Sequence, residues 1–201
     1  MNKSTKEIAL SLFRKHHGRM RTQQALSSGI SPRTLYALRD AGEIIQESRG
    51  LFRLADKEPS SYSDLVQVAI KVPAGVVCLI SALDFYGITT QIPHYVYLAL
   101  PSNIGKPRFK HPPLRVFWLS DKAYQAGITE EILEGIPVKI YSVEKTIVDC
   151  FKFRNTIGID IAVEALKQSM REQKCRLDYL QRYARINRVE RLITPYLEVL
   201  L

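Results

Sequence analysis

Sixteen residues, GISPRTLYALRDAGEI from Gly29 to Ile44, constrain the fold of this chain more than any other stretch. They hold a helix stop, a cap, a short helix and a second stop in succession. Gly29 supplies the backbone freedom that closes a preceding helix. Ser31 offers a side-chain oxygen to the next helix, and Pro32 presets the first helical φ at a position whose N–H would go unpaired anyway. The helix so begun is predicted to run to about Ala41, where Gly42 ends it. Leu35 and Leu38 are three apart and share a face, so they anchor it on a core. The opposite face carries Arg33, Tyr36, Ala37 and Asp40, with Thr34 and Arg39 on its flanks.

The flanking segments place this helix third in a series. Ser4 is the expected cap of a first helix whose Ile8, Leu12 and Phe13 fall on one face and which stops at His16, His17 and Gly18. Thr22 is the expected cap of a short second helix, QQALSS, with Ala25 and Leu26 buried. After the third helix, EIIQE and LFRL read as two short strands turning at Ser48, Arg49 and Gly50. Two helices joined by a tight glycine turn, preceded by a third and followed by a hairpin, form a winged helix-turn-helix. Residues 1–58 are assigned to that domain.

Such a helix puts its N-terminal residues against base edges, which makes Arg33, Thr34, Tyr36 and Ala37 the candidate readers. Arg33 has the donor fork for a guanine, and Ala37 or Thr34 suits a thymine methyl. Asp40 is set apart, since phosphates repel a carboxylate. Arg19, Arg21, Arg49 and Arg53 suit phosphates before the second helix and along the wing, with Arg39 beside the readers. The Thr22 hydroxyl and the N–H groups opening the second helix add positioning contacts. Residues 1–58 hold 11 basic and six acidic side chains, within a chain of formal charge +9. The same arginines also suit a solvated surface on a winged fold that mediates protein contacts.

At 201 residues and 46% hydrophobic composition, the chain has material for one large domain or two small ones. Cys78, Cys150 and Cys175 form no close pair, which fits a reducing cytosol. Charges interrupt the apolar residues of the N-terminus, unlike a signal peptide, and no uncharged apolar run reaches the roughly 18 residues of a membrane span. The expectation is a soluble, cytoplasmic protein.

The polar stretch ADKEPSSYS, Ala55 to Ser63, reads as a linker, and a second domain is assigned to residues 63–201. In it DLVQVAIKV reads as a helix, GVVCLISALDFYG as a buried helix, and YVYLALP and LRVFWL as strands around an irregular loop, SNIGKPRFKHPP. Residues 132–133 and 136–141 form a hairpin across Glu134 and Gly135. Ser142 caps VEKTIVDCFKF, then come DIAVEALKQSMREQ, DYLQRYARI and a last helix from about Arg188, interrupted by Pro195. The fold class is α+β, the second domain being mixed α/β with small, mainly antiparallel sheets. Lys106, Arg108 and Lys110 in the loop, and Arg182, Arg185 and Arg188 at three-residue steps, make a second basic surface for nucleic-acid backbone or an ordinary solvated face.

Catalytic patterns are missing. No D-x-K or E-x-K triplet ends a strand pair, and no D-x-D pair follows a Gly-Ser turn. The four histidines make no metal-binding spacing, and no G-x-S-x-G elbow occurs. Asp160 and Glu164, one helical turn apart, are better explained as a helix cap and a solvated glutamate than as a shared metal site. The chain is expected to carry no catalytic site, metal or cofactor.

The winged N-terminus with GISPRTLYALRDAGEI and RGLFRL, then VCLISALDFYGITTQIPHYVYLALP, then GIPVKIYSVEKTIVDCFKFRNTIGIDIAVEAL resembles the AbiEi family of bacterial antitoxins. Ser81-Ala82-Leu83 running into Gly87-Ile88-Thr89, and Glu144-Lys145-Thr146 before Val148-Asp149, are its most telling segments. The resemblance implies a type IV toxin–antitoxin system of the abortive-infection kind used in phage defence. There the winged domain represses the shared promoter by binding inverted repeats in double-stranded DNA. The C-terminal domain counters a nucleotidyltransferase toxin without a stable complex and assists cooperative DNA binding by a protein monomeric in solution. The alternative is a winged-helix regulator whose C-terminal domain binds a ligand or protein partner, with no toxin.

Overall fold

Helix α1 (Lys3–Lys15) opens the computed structural model, which describes residues 3–56, 62–108 and 111–200. It turns Ala9, Leu10 and Phe13 inward and leaves Ile8 58% exposed. The buried face therefore lies one residue round from the 8-12-13 face expected: with Phe13 fixed in the core, Ala9, one turn earlier, must follow it. Strand β1 (Arg19–Arg21) and helix α2 (Thr22–Ser27) come next. Ala25 is buried, whereas Leu26, expected beside it, is 40% exposed. Neither expected cap is one. Ser4 already lies within α1, and Thr22 is the first helical residue of α2, capped by Arg21 without a side-chain bond.

Helix α3 (Pro32–Asp40) follows as expected, with Ser31 at its N-cap and Ala41 at its C-cap. Strands β2 (Ile44–Ser48) and β3 (Leu51–Leu54) then pair antiparallel around Arg49 and Gly50. β3 also pairs with β1, giving the order β1-β3-β2. The third strand escaped the sequence because RMR is too short to show alternation. One apolar cluster joins Phe13 of α1, Leu35 and Leu38 of α3, and Met20, Ile44 and Phe52 of the sheet. Burying each such side chain contributes roughly 1.5–3 kcal/mol. Met1–Gln67 and the segment Ile132–Ile136 group as one compact unit. Most of the expected linker, residues 57–61, lies outside the described residues.

The second unit comprises Val68–Glu131 and Pro137–Leu201. Helix α4 (Ser63–Lys71) leads into it. Strand β4 (Val76–Val77) comes before helix α5 (Leu79–Phe85), so the segment read as one buried helix is a strand and a helix joined at Cys78. Its continuous apolarity suits a buried element of either kind. Strands β5 (Val96–Pro101) and β6 (Leu114–Leu119), helix α6 (Asp121–Gln125), and strands β7 (Ile128–Leu133) and β8 (Ile136–Tyr141) follow. The sheet order is β6-β5-β4-β8-β7. β4 is antiparallel to β5 but parallel to β8, and β5 is parallel to β6 from Val96↔Leu114 to Pro101↔Leu119. The sheet is thus mixed, not mainly antiparallel. The connection from β5 to β6, read as an irregular loop, has the length that a parallel pair needs.

Five helices complete the unit: α7 (Val143–Lys152), α8 (Arg154–Ile157), α9 (Ile159–Arg171), α10 (Leu177–Asn187) and α11 (Glu190–Leu200). Ser142 caps α7, accepting from Lys145 N at 3.4 Å. Val143 to Phe151 are all buried, and α7 packs against α5, α9 and α10. Two of its charged residues, Lys145 and Asp149, are buried as a pair. Lys145 Nζ donates to Asp149 Oδ2 at 2.5 Å and lies 4.1 Å from the centre of the Tyr141 ring. Asn187 of α10 donates to Asp149 Oδ1 at 2.6 Å. Burial pushes the Asp149 carboxyl above its usual range, and the Lys145 and Asn187 contacts oppose the push. No helix among the described residues is long and apolar enough to cross a membrane.

Candidate nucleic-acid interface

The exposed face of α3 is set by what holds its other face. Leu35 and Leu38 are fully buried, and Ser31 accepts from Thr34 N at 3.1 Å, which fixes the first turn. Arg33 and Tyr36 therefore stand outward, with Thr34, Ala37 and Arg39 half-buried at the margins. The Thr34 hydroxyl shares a 2.9 Å hydrogen bond with Ser31. Tyr36 rests edge-on against Phe52 of β3, ring centres 6.2 Å apart, so an aromatic anchored on the core reaches the surface. Arg39 lies over the Tyr36 ring at 4.9 Å and donates to Asp40 and to Gln46 of β2.

The wing brings further cations to the same unit. Arg49 is exposed at the turn, where Gly50 adopts φ +78°, a conformation that disfavours a side chain. Gly50 O accepts from Thr22 N at 2.9 Å, which ties the wing turn to the start of α2. Arg21 is exposed and Thr22 half-buried beside it.

Arg19 and Arg53 stand otherwise than expected. They are opposite one another in the β1–β3 pair, and both are buried. Arg19 pairs with Glu47 at 2.5 Å and with Glu134, and Arg53 pairs with Glu47 at 2.9 Å. Glu47 is the extra residue of a bulge between Gln46 and Ser48, and a bulge re-aims its side chain. Arg19 lies between two carboxylates and Arg53 against one, and burial keeps both guanidinium groups off the surface. Local pattern does not reveal this, because the partners come from a bulge and from a turn more than eighty residues away. Asp40, set apart in the sequence, and Gln46, not singled out there, both accept from Arg39.

In the second unit Lys106 and Arg108 are exposed, and Lys110 lies outside the described residues. Arg182 and Arg185 are exposed on α10, with Arg185 paired to Glu190 at 2.9 Å. Arg188 is off the helix, at its C-cap with φ +58°, so the three arginines do not form one helical stripe. Tyr179 and Tyr183 stack at 6.3 Å and are half-buried. Among the described residues no cluster of three or more His, Cys, Asp or Glu is placed to hold a metal ion.

The chain matches the RV2827C protein from Mycobacterium tuberculosis, a crystal structure, with TM-score 0.61 and 14% identity over 92% of this chain and 72% of that one. At that identity the likeness speaks for the fold alone. No curated protein matches the sequence. Residues 7–55, which hold α1 to β3 almost entire, match the family model described as "Transcriptional regulator, AbiEi antitoxin". Over that segment the chain is similar to the AbiEi antitoxin family of transcriptional regulators.

Proposed function

We propose that this protein represses its own operon by binding inverted repeats in the promoter, and that it is the antitoxin of a type IV system whose toxin is a nucleotidyltransferase. The observation that carries the reading is the outward face of α3, with Arg33 and Tyr36 exposed above fully buried Leu35 and Leu38, inside the segment that matches the regulator family. In this reading Arg33, Thr34, Tyr36 and Ala37 meet base edges in the major groove. Arg21, Thr22 and Arg49 set the register on the phosphate backbone, and Arg39 lies beside the readers. Arg19 and Arg53 hold the wing sheet together and stay off the DNA.

The second unit carries antitoxicity, by analogy with the family, and its exposed Arg182, Arg185 and Arg188, with Lys106 and Arg108, add non-specific affinity. The protein acts by binding, without chemistry of its own. Footprinting the chain on the DNA upstream of its reading frame tests repression, and co-expression with any nucleotidyltransferase encoded beside it tests antitoxicity. The expected results are a protected inverted repeat and restored growth. Loss of the footprint in Arg33→Ala, at a cost of about 1–3 kcal/mol, assigns that contact to α3. An unprotected promoter, or metal-dependent nicking of it, refutes the reading.

A further inference from the structure

Asp40 is the last residue of α3, where the partial negative charge of the helix end disfavours a carboxylate. Its side chain is 65% exposed and nonetheless engaged, with Oδ1 accepting from Arg39 Nε at 2.9 Å and from Nη2 at 2.8 Å. Neighbours in sequence do not ordinarily face each other on a helix, so this is not the usual helix-surface ion pair. Two further contacts hold the same guanidinium. Its carbon lies 4.9 Å from the centre of the Tyr36 ring, which Phe52 supports from the core. From the neighbouring strand, Gln46 Oε1 accepts from Nη1 at 3.4 Å.

A guanidinium has five N–H groups. Asp40 takes two and Gln46 one, and the two that remain sit one on each terminal nitrogen. A donor on each terminal nitrogen is the fork that matches O6 and N7 of guanine in the major groove. Arg33 differs: it is exposed, and no described residue pairs with it. It has its rotamer freedom still to lose on docking, whereas Arg39 is already ordered.

We infer that Arg39 is the guanine-reading residue of this helix, and that Asp40 and Gln46 are positioning residues that aim its free edge. The inference rests on the DNA-binding reading above and adds a base to it. A carboxylate that only offset the charge of Arg39 would act alike on every sequence. One that aims a donor fork acts on a single base pair.

The test uses full-length wild-type, Asp40→Asn and Arg39→Lys chains, each selecting duplexes from a library randomised over about two helical turns. Wild type is expected to enrich a guanine whose preference falls about tenfold in both variants. Affinity of Asp40→Asn for unselected duplex stays level or rises, since one negative charge is gone. Replacing that guanine by 7-deazaguanine, which lacks the N7 acceptor, weakens wild type by a similar factor and leaves Asp40→Asn unchanged. Thermal melts check that both variants fold. If the variants keep the wild-type base preference, the inference is overturned and DNA binding stands. If wild type enriches no sequence and binds no duplex in a salt-dependent way, both are overturned.

Discussion

Arginine is the residue on which most of this account turns, and its surroundings decide its role. Arg33 and Arg49 are exposed cations, Arg39 is held by Asp40 and Gln46, and Arg19 has a side chain only 1% exposed between Glu47 and Glu134. Removing one member of a buried ion group leaves the others uncompensated. Arg19→Gln is therefore expected to cost about 3–5 kcal/mol of stability in denaturant unfolding, while leaving the salt dependence of DNA binding as in wild type. A shallower salt dependence with unchanged stability would return Arg19 to the phosphate contacts. From sequence the seven arginines of residues 1–58 look alike. What separates them is burial, which depends on a bulge and a distant turn that local pattern does not encode.

At the scale of elements, the legible parts were those whose ends carry chemical marks. α3 has Ser31 and Pro32 at one end and Gly42 at the other, α7 has Ser142, and the Arg49-Gly50 and Glu134-Gly135 turns announce their hairpins. β1 is too short to show a period, and the two-residue β4 merges into the apolar run of α5. Polar residues inside a helix were the least legible. Glu144-Lys145-Thr146 and Asp149 marked the family likeness, but the structure shows them buried, with Asp149 joining α7 to α10 through Asn187. Lys145→Met alone should destabilise by about 3–5 kcal/mol, because it strands the Asp149 charge. The double variant Lys145→Met, Asp149→Leu should recover much of that loss, as measured by a double-mutant cycle in urea. Additive losses would show that the two residues act separately.

At the scale of the whole molecule, the chain divides into a winged unit matched to a regulator family and a second unit built on a mixed sheet. In the sequence the division is drawn at the polar stretch from Ala55 to Ser63. Strand direction was not, because parallel and antiparallel partners need no different residues within the strand itself and differ only in the path of the connection. Nor was the grouping of Ile132–Ile136 with the first unit, which joins segments far apart in the chain. In the proposed function the α3 face and the wing bind duplex DNA through phosphates and bases. The most direct measurement is the binding constant of the full chain for its own upstream DNA over a series of salt concentrations, for wild type and Arg49→Ala. The expected result is a linear fall of log binding constant with log salt, shallower by about 0.9 in Arg49→Ala for the one phosphate contact removed. Binding that ignores salt, or an Arg49→Ala slope equal to that of wild type, would contradict it.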